Sequence, residues 1–253
     1  MRILWLSANI LGYSVFPELL KIPDIDIVGI MTLSPNSISV MYDGIMAEKW
    51  RQWGIPVYEV TRIDDEENLI SKISPDLILV CGWRQKIPAS ILFLPPQGVV
   101  GFHPTLLPLG RGSAPIINSI LEGFVESGVT MFYLADDLDS GDIIGQEKFV
   151  ISDEDYASDV YGKIVESTKK LIRKYIPEIA SATASRIPQD HLKATFFPRR
   201  SLADNEINLK EDDPITIIRK IRAFSYPYRG AYIKMSASGR KLIIWKATLE
   251  EDD

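Results

Sequence analysis

Apolar residues in the first half of the chain come in short unbroken runs, and each run is followed by a stretch with helical spacing. Residues 3–8 read as a first buried strand, and the turn at 9–12 opens a helix through Phe16, Leu19 and Leu20. Further strands are expected at 25–33, 55–60 and 77–82, with a helix over about 42–53 between the second and third. Acidic residues at 64–68 open the next helix, at the positive end of its dipole. Residues 113–123 place Ile116, Ile117, Ile120 and Leu121 on one helical face. Residues 128–134 and 143–151 then read as an antiparallel strand pair joined by a loop through Asp139. A long helix starts near 153–155 and is expected to end at about 175, with Lys169, Lys170, Arg173 and Lys174 near its negative end. A Pro- and Ser-containing connection at 176–189 leads to a tail with a helix at about 214–223 and further strands.

Strands apolar on both faces and alternating with helices are the sequence form of a parallel sheet covered on both sides. The expected fold is therefore α/β: a Rossmann-like, mostly parallel sheet with helices on both faces over residues 1–185, then a small C-terminal α+β subdomain over 186–253. Such a sheet invites a dinucleotide. The turn after the first strand, SANILGYS, lacks the G-x-G-x-x-G fingerprint, and Thr32-Leu33-Ser34 ends the second strand where a ribose-binding acid is needed.

Composition narrows the class further. With 46% hydrophobic and 25% charged residues the chain is that of a soluble globular protein. No apolar run is long enough for a transmembrane helix. The apolar start is broken by Ser7 and Asn9 and has no small-x-small cleavage site, so it reads as a strand rather than a secretory signal, and a cytoplasmic setting is expected. Lys and Arg total 28 against 34 Asp and Glu, a net charge of -6, which argues against a protein that grips DNA or tRNA mainly through phosphates. The single Cys81 excludes an intrachain disulfide and a Cys-rich zinc site, and in the run LILVCGW it reads as a small buried hydrophobe. No metal site is expected.

Two stretches carry candidate chemistry: GVVGFHPTLLPLGRG at 98–112 and LDSGD at 138–142. The first is a short strand that delivers His103 at its carboxyl end and is stopped by Pro104 and Pro108. The second puts Asp139 in a turn. A His and an Asp, each at the end of its own strand, are the parts of an oriented acid/base pair. His191, the only other histidine, lies in a polar connecting segment and reads as a surface residue.

The pattern His103-Pro-Thr-Leu-Leu-Pro108, a small-residue loop and then Leu138-Asp139-Ser140-Gly141 resembles the signature of the 10-formyltetrahydrofolate-dependent formyltransferases. Gly110-Arg111-Gly112 followed by Ala114-Pro115-Ile116 is similar to the tRNA and sugar branches of that family. The resemblance implies formyl transfer from 10-formyltetrahydrofolate, with His103 as acid/base and oxyanion stabiliser and Asp139 orienting it. The loop Trp83, Arg84, Gln85, Lys86 and Ile87, with Asp136 from the Asp139 loop, would enclose the pterin ring. This sequence departs from the family at Gly101, where the family has an Asn that donates to the formyl oxygen. Losing such a donor costs about 3 kcal/mol of transition-state stabilisation. The expectation is that another donor or a water takes its place.

Ala194-Thr195-Phe196-Phe197-Pro198-Arg199-Arg200 is similar to the sugar branch, and the segments at 221–224 and 226–232 to both branches. Little chain follows Leu249 for a complete tRNA-binding C-terminal domain. A nucleotide-linked amino sugar is thus the expected acceptor, with Arg111, Arg199, Arg200 and Arg222 as candidates for its phosphates. Methionyl-tRNA formylation is the alternative, and so is a folate- or nucleotide-sugar-binding homologue impaired by Gly101. A homodimer is left open.

Overall fold

The computed structural model describes residues 1–37, 43–235 and 239–250. A seven-stranded sheet is built from β1 (Arg2–Leu6), β2 (Asp26–Leu33), β3 (Val57–Val60), β4 (Leu77–Val80), β5 (Val99–His103) and two later strands. Its helices include α1 (Ile10–Leu19), α2 (Ala47–Arg51), α3 (Glu67–Ile73) and α4 (Ala89–Leu92). After β5 come the short β6 (Arg111–Gly112), α5 (Pro115–Leu121), β7 (Glu126–Tyr133), β8 (Ile143–Val150) and α6 (Ala157–Ala180). The strand order is β3-β2-β1-β4-β5-β7-β8, parallel through β5 and antiparallel for the last two. This is the Rossmann-like α/β fold that the alternation of apolar runs implies.

Strand periodicity assigns the two faces. Ile3, Trp5, Leu77 and Leu79 join Val15, Phe16, Leu19, Ile172 and Ile176 from α1 and α6 in one core. Leu4, Leu6, Ile78 and Val80 join Ile70, Ile73, Ile91 and Leu92 from α3 and α4 in the other. Cys81 is buried, and burial pushes its thiol far above the ordinary range, so it is an inert part of the core.

Two expectations are corrected. The helix expected to stop near 175 runs to Ala180, straight through Pro177, because Leu171, Ile172, Ile176 and Ile179 continue one buried stripe. Its cations therefore do not sit in the last turn; Lys169, Lys170 and Arg173 instead pair with Glu166, Glu147 and Glu18. The helix expected from about 42 is described only over Ala47–Arg51, and its expected start at Tyr42 lies outside the described residues.

The tail adds β9 (Phe196–Phe197), α7 (Pro214–Phe224), β10 (Ala231–Lys234) and β11 (Lys241–Ile244). It is tied to the part of the chain that follows His103: β9 pairs in parallel with β6, and α7 packs on α5. Among the described residues no helix is long and apolar enough to cross a membrane.

Candidate active site

The parallel strands β1, β4 and β5 end on one side of the sheet, where open α/β sheets bind ligands. His103 is the last residue of β5, directly opposite Thr130 on β7. The loop after it is pinned rather than loose. Thr130 Oγ1 donates to Thr105 O at 2.7 Å and accepts from Leu107 N at 3.0 Å, while Gln146 Nε2 donates to Leu107 O at 2.8 Å.

His103 is only 6% exposed. Its Nε2 lies 2.8 Å from Gly110 O, and its Nδ1 lies 3.6 Å from Asp139 Oδ2. A carbonyl can only accept, so Nε2 carries the hydrogen in that contact. The other nitrogen faces a carboxylate, so the ring has an oxygen atom on each side. Asp139 is held in turn by Gly112 N, which donates to its Oδ2 at 2.8 Å. Its backbone has φ of 49°, in the left-handed region. Two residues on, Gly141 leaves no room for a side chain, since a Cβ there would lie 1.9 Å from Tyr133 O.

Gly101 lies two residues before His103 on β5, between Val80 and Phe132. The room beside it is taken: a Cβ at position 101 would meet Leu134 Cδ1 at 2.5 Å. Leu134, and no polar side chain, fills the place where a residue-101 side chain would begin.

The loop after β4 is tied down by its own polar side chains. Gln85 Oε1 accepts from Ile63 N at 2.8 Å, and its Nε2 donates to Thr61 O at 2.9 Å and to Ser37 Oγ at 3.1 Å. Arg84 reaches the buried Asp43, with NH2 to Oδ1 at 3.3 Å. Asp43 Oδ2 also accepts from Asn9 Nδ2 at 2.9 Å and from the Tyr161 hydroxyl at 3.2 Å. Burial first, and the Asp43 charge second, push that hydroxyl far above its ordinary value, so it stays a donor. Ile87 is buried, and Trp83 encloses an indole N–H that has no hydrogen-bond partner. Lys86 pairs with Asp136 at 2.8 Å, both about 70% exposed.

These elements border a cleft of about 600 Å³ lined by Arg62, Arg84, Gln85, Lys86, Asp136 and Arg199. That volume suits a small organic ligand. His103 and Asp139 are not part of its lining, which reaches their loop at Asp136.

The four candidate arginines separate. Arg199 borders the cleft. Arg200 donates to Asn118 Oδ1 at 2.7 Å and pairs with Asp204 at 3.5 Å. Arg111 is 4% exposed, with Nε and NH2 on Gln189 Oε1 and NH2 also 3.2 Å from His191 Nδ1. Arg222 is buried against Asp155 O at 2.8 Å and Ser152 O at 2.6 Å, and burial pulls its guanidinium below its ordinary value. Arg111 and Arg222 thus face internal partners rather than an open acceptor site. The sequence reading missed Asp43, Leu134 and Gln189, whose partners lie far away along the chain.

Residues 58–176 match the formyl transferase family. That stretch of the chain belongs to the family. The methionyl-tRNA formyltransferase of Halalkalibacterium halodurans is 34% identical over 195 residues, which are 76% of this chain and 60% of that protein. The chain thus spans about 60% of the length of this curated relative. Among solved structures, a 4-N formyltransferase from Francisella tularensis superimposes with a TM-score of 0.77 at 21% identity, covering 99% of this chain and 98% of that one. WlaRD, a sugar 3N-formyl transferase whose structure was determined in the presence of dTDP and 5-N-formyl-THF, superimposes with a TM-score of 0.70 at 20% identity, over 90% and 80% of the two chains. At these identities the structural likeness speaks for the fold.

Proposed function

We propose that this chain transfers a formyl group from 10-formyltetrahydrofolate to the amine of a nucleotide-linked amino sugar. The observation that carries the reading is the buried His103, held between Gly110 O and the Asp139 carboxylate at the end of a central strand. The donor supplies an activated formyl carbon. A new C–N bond forms to the acceptor amine, the bond to the folate nitrogen breaks, and one proton moves from the first nitrogen to the second. His103 serves as the proton carrier and stabilises the tetrahedral oxyanion, and Asp139 holds the ring in register. Trp83, Arg84, Gln85, Lys86, Ile87 and Asp136 are assigned to the donor. The support is the cleft volume, with Arg84, Gln85, Lys86 and Asp136 in its lining; Trp83 and Ile87 lie outside that lining. Gly101 marks the formyl side of the site.

In this reading residues 1–185 are the catalytic unit, 186–253 form a small subdomain beside it, and the setting is cytoplasmic. Arg199, at the cleft, and Arg200, which pairs with Asn118 and Asp204 but keeps part of its side chain exposed, are assigned to the acceptor phosphates, because Arg111 and Arg222 are buried on their internal partners. The acidic balance of the chain supports a small acceptor over a nucleic acid. The 34% identity to a methionyl-tRNA formyltransferase favours a second reading, formylation of charged initiator tRNA. A mass-spectrometric assay decides between them: 10-formyltetrahydrofolate is offered with a panel of nucleotide-linked amino sugars and, separately, with methionyl-tRNA. A sugar that gains one formyl mass supports the first reading, and a formylated tRNA the second. No product with either acceptor contradicts both.

A further inference from the structure

Gln189 lies in the connection that follows α6 and is 6% exposed. Its Nε2 donates to Asp139 O at 2.9 Å and to Gly141 O at 2.7 Å. Its Oε1 accepts from Arg111 Nε at 3.1 Å and from Arg111 NH2 at 2.6 Å. An amide has two N–H donors and two lone pairs, so every one of them is in use. The network also fixes which way the amide points, because only the nitrogen can face two carbonyls and only the oxygen can face a guanidinium.

The bonds converge on one residue. Gly112, next in sequence to Arg111, donates its N–H to the Asp139 carboxylate, while Gln189 holds the Asp139 carbonyl from the other side. Asp139 sits there with a left-handed backbone that the loop must maintain. The segment bearing Gln189 has its own attachment to the sheet: Ile187 and Ile143 exchange hydrogen bonds of 2.9 and 2.8 Å. The Gln189 amide is therefore not needed to keep its own segment in place, and its two donors serve the Asp139 loop.

We propose that Gln189, anchored by the buried Arg111, is the positioning residue that sets the Asp139 carboxylate against His103. The proposal rests on the reading of His103 and Asp139 as the working pair. Arg111 belongs to this clamp, and a phosphate of the acceptor is met elsewhere.

Gln189→Glu isolates the claim, since it keeps the shape and the pairing with Arg111 but turns an oxygen toward the two carbonyls. Gln189→Met, which offers no donor, is the second variant. The readout is the imidazole ¹H–¹⁵N spectrum of histidine-labelled protein, where the two histidines are told apart by His191→Asn. Asp139→Asn should shift the His103 resonances, Gln189→Glu and Gln189→Met should reproduce most of that shift, and in the Asp139→Asn background either should add almost nothing. With whichever acceptor is turned over, kcat should fall about tenfold or more while the donor KM holds, as expected for a misplaced catalytic group. If Asp139→Asn leaves the His103 signals unmoved, the pairing of His103 with Asp139 itself is wrong. If Asp139→Asn shifts them but the Gln189 variants do not, or if both Gln189 variants unfold, the positioning role is overturned.

Discussion

Gly101→Asn would put a side chain where Leu134 already lies. The Cβ of the new residue meets Leu134 Cδ1 at 2.5 Å, Leu134 Cγ at 3.6 Å and Phe132 Cε1 at 3.7 Å. Only the first of these is far inside the contact distance of about 3.5–4.0 Å between carbons. The Leu134 backbone is fixed, with its N–H donating to Val99 O at 2.8 Å, so the side chain has to turn. Turning it off its rotamer costs about 1 kcal/mol, and overpacking sets an upper bound of about 3 kcal/mol. Urea unfolding of Gly101→Asn should therefore show a loss of about 1–3 kcal/mol.

Leu134→Ala removes the obstruction and costs up to about 2 kcal/mol by itself, being only half-buried. The double variant should be more stable than the two losses added together predict, by about 1 kcal/mol or more. If a residue-101 amide meets the formyl oxygen, as the family resemblance implies, and nothing else takes its place, formyl transfer by the double variant should run up to about a hundredfold faster than that of Leu134→Ala alone; equal rates would mean that another donor or a water already fills the role. Losses that add within about 0.5 kcal/mol would show that Leu134 does not fill the place of a residue-101 side chain, and the argument built on it would fail.

Asp43→Ala leaves the enclosed Asn9 amide and Tyr161 hydroxyl without an acceptor and should cost about 2–4 kcal/mol in urea unfolding. It should also raise the donor KM, because Arg84 is tied to Asp43; an unchanged KM would remove Asp43 from the support of that loop. Asp155 has burial pushing its carboxyl up, but the Lys163 ammonium and the Ser152 N–H outweigh it and hold it below the ordinary value. That contribution is present above about pH 4, where the unfolded carboxyl is ionised, and is lost as pH falls through the lower folded-state value. Melting temperatures taken down to about pH 2 should fall less steeply for Asp155→Asn, and parallel curves would contradict the assignment.

Much of the sheet was legible because buried parallel strands leave unbroken apolar runs, and β4 with its LILV is the plainest. The placement of His103 was legible for a related reason, since it ends such a run and is followed by Pro104, whereas Asp139, in the loop between β7 and β8, was marked by its turn-forming neighbours Ser140 and Gly141. The end of α6 was not, since Pro177 looks like a stop until the buried Ile176 and Ile179 are seen to continue the stripe. Arginines carry no mark of direction in a sequence, so Arg111 and Arg222, which face inward, read the same as Arg199 at the cleft. Gln189 and Leu134 were silent for a deeper reason. Gln189 acts on Asp139 across 50 positions, and Leu134 matters only because β7 returns beside β5.

The central claim is that His103 carries the proton in formyl transfer. His103→Asn tests it directly, with donor binding followed by calorimetry and transfer followed by mass spectrometry on the same preparation. The account predicts that 10-formyltetrahydrofolate still binds while transfer falls by about a hundredfold or more. Full transfer by the variant would contradict it.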